Sequence, residues 1–249
     1  MKKIIFIAII YAAAFLFLMY QTSTSDASTE DNTPIIVEPE QTEGTGQAIT
    51  MDIIKSTYRV INRSFNDELG YTSTGTAFAF HKTETHIYLL TNAHVVKKQP
   101  GYLFQSFKLI DYYNNIYEGE LFDYSINLDK DLAILVIEIN ENPIITLSPV
   151  DITIGERVKA LGYYPTVQLT YGLVTNKPLV NFVVKNMVVI SHDASIIGGA
   201  SGGPLLNSEN KVIGINFASV TSNQQFLQAY AIPINEILDY LDQQFWEAL

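Results

Sequence analysis

The sequence predicts a mainly antiparallel β fold, a sandwich or a barrel, that ends in one α-helix. From about residue 51 onward, short strand-like segments alternate with turn residues, and helical periodicity is scarce. Fifteen Tyr and thirteen Phe, together with many Ile and Val, favour strands. The 249 residues are 47% hydrophobic, which is enough apolar material for one large domain or two small ones.

An apolar segment at the N-terminus predicts an export or anchoring helix. Lys2 and Lys3 precede an uninterrupted apolar run over residues 4–20, which is short for a membrane span and long for a signal-peptide core. The two lysines predict that the N-terminus stays inside and the remainder lies outside the cytoplasm. We expect residues 1–20 to be an uncleaved signal anchor of a single-pass cell-membrane protein. A removed signal peptide, giving a secreted or periplasmic protein, and a buried helix of the folded domain are the alternatives.

Residues 21–50 predict an acidic, disordered linker. The segment contains six acidic residues and no basic one, and Pro34, Pro39, Gly44 and Gly46 interrupt regular structure. Such a composition cannot bury enough apolar surface to fold. A functional acidic motif is the alternative to a spacer.

Composition excludes several classes of function. A formal net charge of −11, with no run of Lys or Arg longer than two residues, argues against a nucleic-acid partner. The chain has no cysteine, so disulfides, a thiol nucleophile and cysteine-based metal sites are excluded. The four histidines (His81, His86, His94 and His192) lack the spacing of metal ligands. We therefore expect no metal site built from these side chains.

From about residue 51 onward the chain divides into strand segments and one helix. Six strands are predicted at 76–80, 87–91, 132–139, 157–161, 187–191 and 211–218. Over residues 233–249 apolar side chains recur at three- and four-residue steps, which predicts an amphipathic terminal helix. Its apolar positions are Ile234, Ile237, Leu238, Leu241 and Phe245.

The first candidate for chemistry is a histidine at a strand end. Residues 89–96 have the sequence LLTNAHVV, in which an apolar strand runs into a short turn that carries His94. A general base needs an imidazole that is fixed by buried structure and faces a cleft. A plain strand-end histidine is the alternative.

The second candidate is an acid that precedes an apolar strand. Residues 129–135 have the sequence DKDLAIL, and Asp131 directly adjoins the buried run. A partly buried carboxylate can fix the tautomer of a histidine and stabilise its protonated form, although an ordinary turn residue is the alternative. Asp129 is expected to be the solvated partner of Lys130.

The third candidate is a serine among glycines. Residues 198–205 have the sequence GGASGGPL, which predicts a tight turn that a substrate can approach closely. Such a turn can direct the amides of Gly199 and Ser201 at one point, as an oxyanion hole requires. A flexible glycine loop is the alternative, but the apolar residues that follow indicate entry into buried structure.

Together these motifs resemble the trypsin-like serine peptidases, most closely the protease domain of the bacterial HtrA/Deg family. TNAHVV at 91–96 is similar to the histidine motif of that family, DLAIL at 131–135 to its aspartate motif, and GASGGPL at 199–205 to its nucleophile motif. GTAF at 75–78, VIGIN at 212–216 and AIP at 231–233 are lesser similarities.

The resemblance implies an all-β, chymotrypsin-like fold of two antiparallel six-stranded barrels with a C-terminal α-helix, behind the N-terminal hydrophobic helix and the disordered linker. It implies a peptidase domain over 51–249, with barrel one at about 51–147, barrel two at about 148–235 and the helix at 233–249. The chain stops at this helix, so no PDZ-type peptide-binding domain is expected, and the sequence sets no oligomeric state.

The resemblance also implies a set of site residues and protein or peptide substrates. His94, Asp131 and Ser201 would form the catalytic triad, with the Gly199 and Ser201 amides as the oxyanion hole. Such a triad requires no metal and no cofactor. The substrate would bind at Ser195, Ile196, Asn216, Phe217 and Ala218. Because no acid lies among these residues, we do not expect a preference for Lys or Arg at the cleavage point. We expect a small or medium apolar side chain there. An acidic side chain bound through His192 is the alternative.

One position departs from the family pattern. The HtrA/Deg branch usually has Asn before the nucleophile, and digestive relatives have an acid that pairs with a newly cut N-terminus; here the residue is Ala200. We therefore expect glycines and neighbouring backbone to hold this loop, and no activation by such a cleavage. Besides an active envelope endopeptidase, two alternatives stay open: a catalytically silent peptide-binding or chaperone-like module, and a structural β-domain whose motifs are coincidental.

Overall fold

A computed structural model describes residues 35–36, 47–67, 69–122, 126–127, 129–138, 141–163, 165–181, 187–222 and 225–249. Within these residues the first seven strands are β1 (Ile35–Ile36), β2 (Thr57–Phe65), β3 (Gly70–Lys82), β4 (His86–Thr91), β5 (Phe104–Ile110), β6 (Ile116–Leu121) and β7 (Ala133–Glu138). The other six are β8 (Arg157–Tyr163), β9 (Val167–Asn181), β10 (Met187–His192), β11 (Pro204–Asn207), β12 (Val212–Ser222) and β13 (Gln225–Pro233). The helices are α1 (Met51–Lys55), α2 (Ala93–Val96) and α3 (Ile234–Gln244). Each of the six predicted strand segments overlaps an observed strand.

Barrel one consists of β2 to β7. Its strands are hydrogen-bonded in the closed order β2-β3-β4-β7-β6-β5, and the pairing of β5 with β2 closes the ring. Along β2, buried residues largely alternate with more exposed ones, as expected for a strand with one face in a core. By contrast, β4 is buried at five consecutive positions, because both of its faces are covered.

Barrel two consists of β8 to β13, in the order β9-β10-β13-β12-β11-β8, and the β8–β9 pairing closes it. The first half of β9 pairs with β8, and the second half pairs with β10. The prediction of two antiparallel six-stranded barrels is therefore confirmed. The predicted boundary near residue 147 falls in the connection between β7 and β8.

Three apolar clusters explain the architecture. One lies inside barrel one around Tyr58, Leu89 and Leu135, and another lies inside barrel two around Ile190 and Ile213. The third and largest joins residues of both barrels with one face of α3. In β4, Leu89 belongs to the first cluster and its neighbour Leu90 to the third, which accounts for the continuous apolar sequence. The two barrels are therefore packed together through a shared core.

The C-terminal helix is shorter than predicted. α3 ends at Gln244, and residues 245–248 form turns. Phe245, which is fully buried, packs its ring against Phe80, Tyr88 and Phe122 of barrel one. α3 therefore ends directly before a side chain that is anchored in barrel one.

Two parts of the linker predicted over residues 21–50 have defined structure. β1 pairs in parallel with Gln168 and Leu169 of β9. Further on, the Gln47 N–H donates to the Ser208 carbonyl (3.0 Å), and the Ala48 carbonyl accepts a bond from Asn210 Nδ2 (2.8 Å). The predicted N-terminal helix over 1–20 lies outside the described residues. In the part of the chain that is described, no helix is long and apolar enough to cross a membrane.

Candidate active site

His94 lies in α2, a single helical turn that directly follows β4. The flanking Ala93 and Val95 are buried and hold the turn against barrel one. The imidazole, by contrast, is accessible to solvent, since 38% of the His94 side chain is exposed. The backbone of this residue is therefore fixed while its ring faces outward, as a general base requires.

Asp131 is fixed by bonds to the segment that carries His94. Its carbonyl accepts bonds from the Ala93 N–H (3.1 Å) and from Asn92 Nδ2 (3.1 Å). Its carboxylate Oδ1 accepts the His94 backbone N–H (2.9 Å), and Oδ2 lies 2.7 Å from His94 Nδ1. Asp131 has a φ of +53°, in the left-handed region that Asp tolerates better than most residues. Only 2% of the residue is exposed.

This contact sets the tautomer of the imidazole. A carboxylate accepts hydrogen bonds and cannot donate them, so the His94 proton lies on Nδ1. The lone pair of His94 is then on Nε2, which is available to take a proton from a nucleophile.

Lys130 pairs with a different acid from the one expected. Lys130 Nζ lies 2.9 Å from Glu236 Oε2 on α3, whereas Asp129 is exposed. The expected Asp129–Lys130 pair was wrong because the docked helix presents a partly buried carboxylate on the side toward which Lys130 points.

The nucleophile loop is built from two consecutive tight turns. The Ala200 N–H donates to the Ile197 carbonyl (3.1 Å), and Gly199, the third residue of that turn, has a φ of +92°. A positive φ at this position is characteristic of a type II turn, which favours glycine. In the second turn the Gly203 N–H donates to the Ala200 carbonyl (3.0 Å). The Ala200 carbonyl and the Ser201 N–H belong to one peptide group and point in opposite directions. The Ser201 N–H therefore points away from Gly203.

The amides of Gly199 and Ser201 have no protein acceptor among the described residues. Most buried or half-buried backbone N–H groups in proteins are paired. Two unpaired amides in adjacent turns are what an oxyanion hole requires.

The Ser201 hydroxyl is turned toward barrel two. Its Oγ donates to the Phe217 carbonyl at 3.4 Å, which is long for a hydrogen bond between oxygen atoms. Within the described structure no hydrogen bond joins Ser201 Oγ to His94 Nε2. Catalytic hydrogen bonds are often long or poorly aligned in ligand-free enzymes.

β3 brings the histidine turn and the nucleophile loop together. The Thr76 N–H donates to the Ser201 carbonyl (2.8 Å), and Thr91, at the end of β4, donates its hydroxyl to the Thr76 carbonyl (2.7 Å). A β-carbon at Gly75 would lie 2.6 Å from Val95 Cγ1 and 3.2 Å from the Ser201 carbonyl. Gly75 therefore lies between Val95, which adjoins His94 in the chain, and the backbone of Ser201.

Thr76 was not recognised in the sequence as a residue of the site. It is fully buried, and it lies in a strand whose next residues are AFAF. The only indication in the sequence was a threonine hydroxyl in an apolar strand, since a buried hydroxyl needs hydrogen-bond partners. The sequence does not identify those partners.

Two of the residues predicted to bind substrate line a small cavity. Ser195 and Ile196 line a cavity of about 10 Å³ whose other walls include Gly162 and Thr170 of β8 and β9. No residue of β12 lines it. Ala200 also borders this cavity.

Asn216 is fully buried beneath the nucleophile loop. Its Nδ2 donates to the carbonyls of Gly203 (3.2 Å) and Pro204 (3.3 Å), and its Oδ1 lies 3.1 Å from His192 Nε2. The polar atoms of the Asn216 side chain are therefore used inside barrel two, and a contact of this residue with substrate stays a prediction.

Phe217 and Ala218 lie at a bend in β12. The pairing of β12 with β13 is shifted between Asn216 and Ala218, which places a bulge next to Ser201. The ring of Phe217 is packed in the cluster shared by the barrels, while Ala218 is partly exposed. β11 pairs with β12 over 212–215 alone. Among the described strands, none covers the other edge of β12 beyond Asn216.

His192 is a buried neutral histidine. It is fully buried, and burial lowers the pKa of its imidazole to about 4, although the bond to Asn216 opposes this shift. It therefore carries no charge at neutral pH and offers no cation for an acidic substrate side chain. Among the described residues no group of three His, Asp or Glu side chains is arranged to hold a metal ion.

Comparisons with known proteins agree with this arrangement. A family model for the trypsin-like peptidase domain matches residues 75–215. A probable periplasmic DegP-like serine endoprotease of Hahella chejuensis is 34% identical over 181 residues, which is 69% of this chain and 35% of that protein. The human serine protease HTRA4 is 35% identical over 161 residues, covering 61% of this chain and 32% of that protein.

A third relative, the chloroplastic Protease Do-like 5 of Arabidopsis thaliana, is 30% identical over 180 residues, covering 66% of this chain and 55% of that protein. The chain spans about a third of the length of the DegP-like and HTRA4 relatives. The family match contains His94, Asp131 and Ser201, so the interpretation of the motifs as coincidence in an unrelated β-domain is wrong. This chain belongs to the trypsin-like peptidase family.

Proposed function

We propose that this chain is a serine endopeptidase that hydrolyses peptide bonds through His94, Asp131 and Ser201 and an acyl-enzyme intermediate. The observation that carries the proposal is the 2.7 Å contact between His94 Nδ1 and the buried Asp131 carboxylate. It supplies an oriented base beside a serine loop that has two unpaired amides.

In the proposed mechanism, Ser201 Oγ first rotates from the Phe217 carbonyl toward His94 Nε2. Oγ then attacks the carbon of the scissile carbonyl while Nε2 takes its proton. The protonated imidazole, stabilised by Asp131, gives this proton to the leaving amine as the C–N bond breaks. Water repeats the sequence on the ester: its proton passes to Nε2, its oxygen bonds to the acyl carbon, and Ser201 regains its hydroxyl.

The Gly199 and Ser201 amides would stabilise the negative oxygen of each tetrahedral intermediate. One such donor typically lowers the barrier by roughly 3 kcal/mol. The two are unpaired in the described structure, so neither needs to break a protein hydrogen bond before it acts.

The uncovered edge of β12 supports an extended polypeptide as substrate. Beyond Asn216 this edge lies next to Ser201 and carries no neighbouring strand among those described. An extended peptide can add to such an edge through backbone hydrogen bonds. Ser195, Ile196, Phe217 and Ala218 provide no charge, and His192 is neutral, so we propose a small or medium apolar side chain at the cleavage point.

We further propose that the peptidase works outside the cytoplasm. Lys2 and Lys3 before the apolar run of 4–20 support this location, as does the periplasmic DegP-like relative. Fractionation of cells that express the full chain tests the anchor. Retention in membranes after alkaline extraction, and release when residues 1–20 are deleted, would support it. A free protein that lacks residues 1–20 would indicate a removed leader.

Labelling with a fluorophosphonate probe tests the proposed activity. The wild-type protein should be labelled and should cleave a proteome-derived peptide library, and Ser201→Ala should do neither. Ser208→Ala is the matched control, because this serine lies in the turn between β11 and β12 and should leave labelling intact.

A catalytically silent peptide-binding or chaperone-like module is the second candidate. The observation in its favour is the Ser201 hydroxyl, which bonds to the Phe217 carbonyl rather than to His94. That function predicts peptide binding by a folded wild-type protein with neither probe labelling nor cleavage under any condition.

A further inference from the structure

Thr76 of barrel one holds the nucleophile loop of barrel two at two points. Its hydroxyl donates to the Gly199 carbonyl at 2.7 Å, and its backbone N–H donates to the Ser201 carbonyl at 2.8 Å. One buried residue therefore fixes the carbonyl groups on both sides of Ala200. The bond to Gly199 joins residues that are 123 positions apart in the chain.

The direction of the Thr76 hydroxyl is determined by a third contact. The Tyr163 N–H donates to Thr76 Oγ1 at 2.9 Å, so this oxygen acts there as an acceptor. The single hydroxyl proton is left for the Gly199 carbonyl. Thr76 itself is fully buried, which shields its hydroxyl from water.

The Gly199 carbonyl belongs to the peptide group that lies between the two oxyanion donors. The Gly199 N–H is on the preceding peptide group and the Ser201 N–H is on the following one. When the middle group is held, the two donors keep a constant separation and direction. When it is released, rotation about Gly199 and Ala200 can move the amides apart.

Ala200 offers the loop no polar anchor of its own. Its side chain packs against Gly162, where an added β-carbon would lie only 2.8 Å from Ala200 Cβ. The Thr76 carbonyl in turn accepts the hydroxyl of Thr91 (2.7 Å), three residues before His94. Thr76 thus connects the loop to the strand end that carries the histidine.

We infer that Thr76 is a positioning residue for the oxyanion hole: its hydroxyl, supplied by the opposite barrel, keeps the Gly199 and Ser201 amides converged in place of a polar side chain at position 200. The inference rests on the proposed peptidase function. It was expected from the sequence that glycines and neighbouring backbone hold this loop; in the structure a side chain from the other barrel contributes as well.

The test compares Thr76→Val, which keeps the shape but removes the hydroxyl, with Thr76→Ser, which keeps the hydroxyl. Direct loss of an oxyanion donor costs roughly 100- to 1,000-fold in kcat, so loss of its support should cost about 10- to 50-fold. KM should change less than about twofold, since ground-state binding does not use the hole. The affinity of a peptide boronic acid, whose adduct with Ser201 places an oxygen in the hole, should fall by the same factor as kcat.

Thr57→Val is the matched control. Thr57 is also fully buried in barrel one, and its hydroxyl donates to the Ile53 carbonyl (2.9 Å) away from the site. It should lose stability without the selective loss of kcat and boronate affinity. If Thr76→Val does not fold, Thr76→Ala replaces it, and rates are compared per folded molecule.

The inference is overturned if Thr76→Val keeps wild-type kcat, if Thr76→Ser is impaired as severely as Thr76→Val, or if KM rises while kcat stays constant. Ser201→Ala is measured alongside. A folded wild-type protein that is as inactive as Ser201→Ala would overturn the proposed function, and this inference with it. Equal activity in wild type and Thr76→Val would overturn the role of Thr76 alone.

Discussion

His94 and Asp131 are joined by two separate hydrogen bonds. The backbone N–H of His94 donates to Asp131 Oδ1 at 2.9 Å, and its ring Nδ1 contacts Oδ2 at 2.7 Å. The first bond locates the carboxylate and the second orients the ring. Asp131 therefore positions both the chain and the imidazole of its partner.

Asp131→Asn should lower kcat by about 1,000- to 10,000-fold. The amide that replaces Oδ2 can present N–H groups to Nδ1, which would favour the tautomer with the proton on Nε2 and remove the base. Steady-state kinetics on a cleaved peptide measure the effect. Asp129→Asn is the control, because Asp129 is exposed and should keep wild-type activity. Equal activity in both variants would contradict this role for Asp131.

Gly162→Ala should lower kcat/KM by about tenfold or more, because the new β-carbon would lie 2.7 Å from Ala200 Cα and displace the nucleophile loop. Gly198→Ala is the matched control in the loop itself. A β-carbon there meets no atom within 4 Å, and Gly198 is not among the residues with positive φ. Kinetics on the two variants should differ clearly; a loss of similar size in both would contradict the expected crowding at Ala200.

Stability should fall in mild acid because of His192. Its pKa in the folded protein is about 4, below the ordinary value of 6.5, so the unfolded chain binds more protons between these two values. Stability is complete above about pH 6.5 and is lost as the pH falls toward 4, by about 2 kcal/mol at pH 5.

Urea unfolding at several pH values measures this effect in wild type and His192→Gln. The difference between the two curves isolates His192 from the carboxylates, which also titrate in this range. The wild type should lose more stability on acidification than the variant. Parallel curves would show that the His192 imidazole is not held neutral.

Phe245→Ala should lower the free energy of unfolding by about 3–5 kcal/mol, because it empties the site between α3 and barrel one. Phe245 is fully buried and contacts three aromatic rings of barrel one. Trp246→Ala, at a neighbouring side chain that is 48% exposed, should cost less than about 1 kcal/mol. Chemical denaturation compares the two, and equal losses would contradict the anchoring role of Phe245.

Local patterns accounted for the elements but not for every contact between them. The alternation of apolar residues predicted strands that overlap β3, β4, β7, β8, β10 and β12, because strand periodicity depends on residues that are close in the chain. The position of Asp129 next to Lys130 in the chain also led to the expectation that these two residues pair. This expectation failed because a distant element, α3, supplied the partner of Lys130.

Local periodicity in the sequence predicted a β fold with a terminal helix. The resemblance of three short motifs to a known family implied the two barrels and the three residues proposed for catalysis. The tertiary structure decided which atoms meet: both bonds between His94 and Asp131, the Ser201 hydroxyl on the Phe217 carbonyl, and the support of Gly199 by Thr76. Such contacts depend on strand register and on how one barrel packs against the other. No stretch of neighbouring residues encodes that packing, since it results from the burial of apolar side chains contributed by both barrels and by α3.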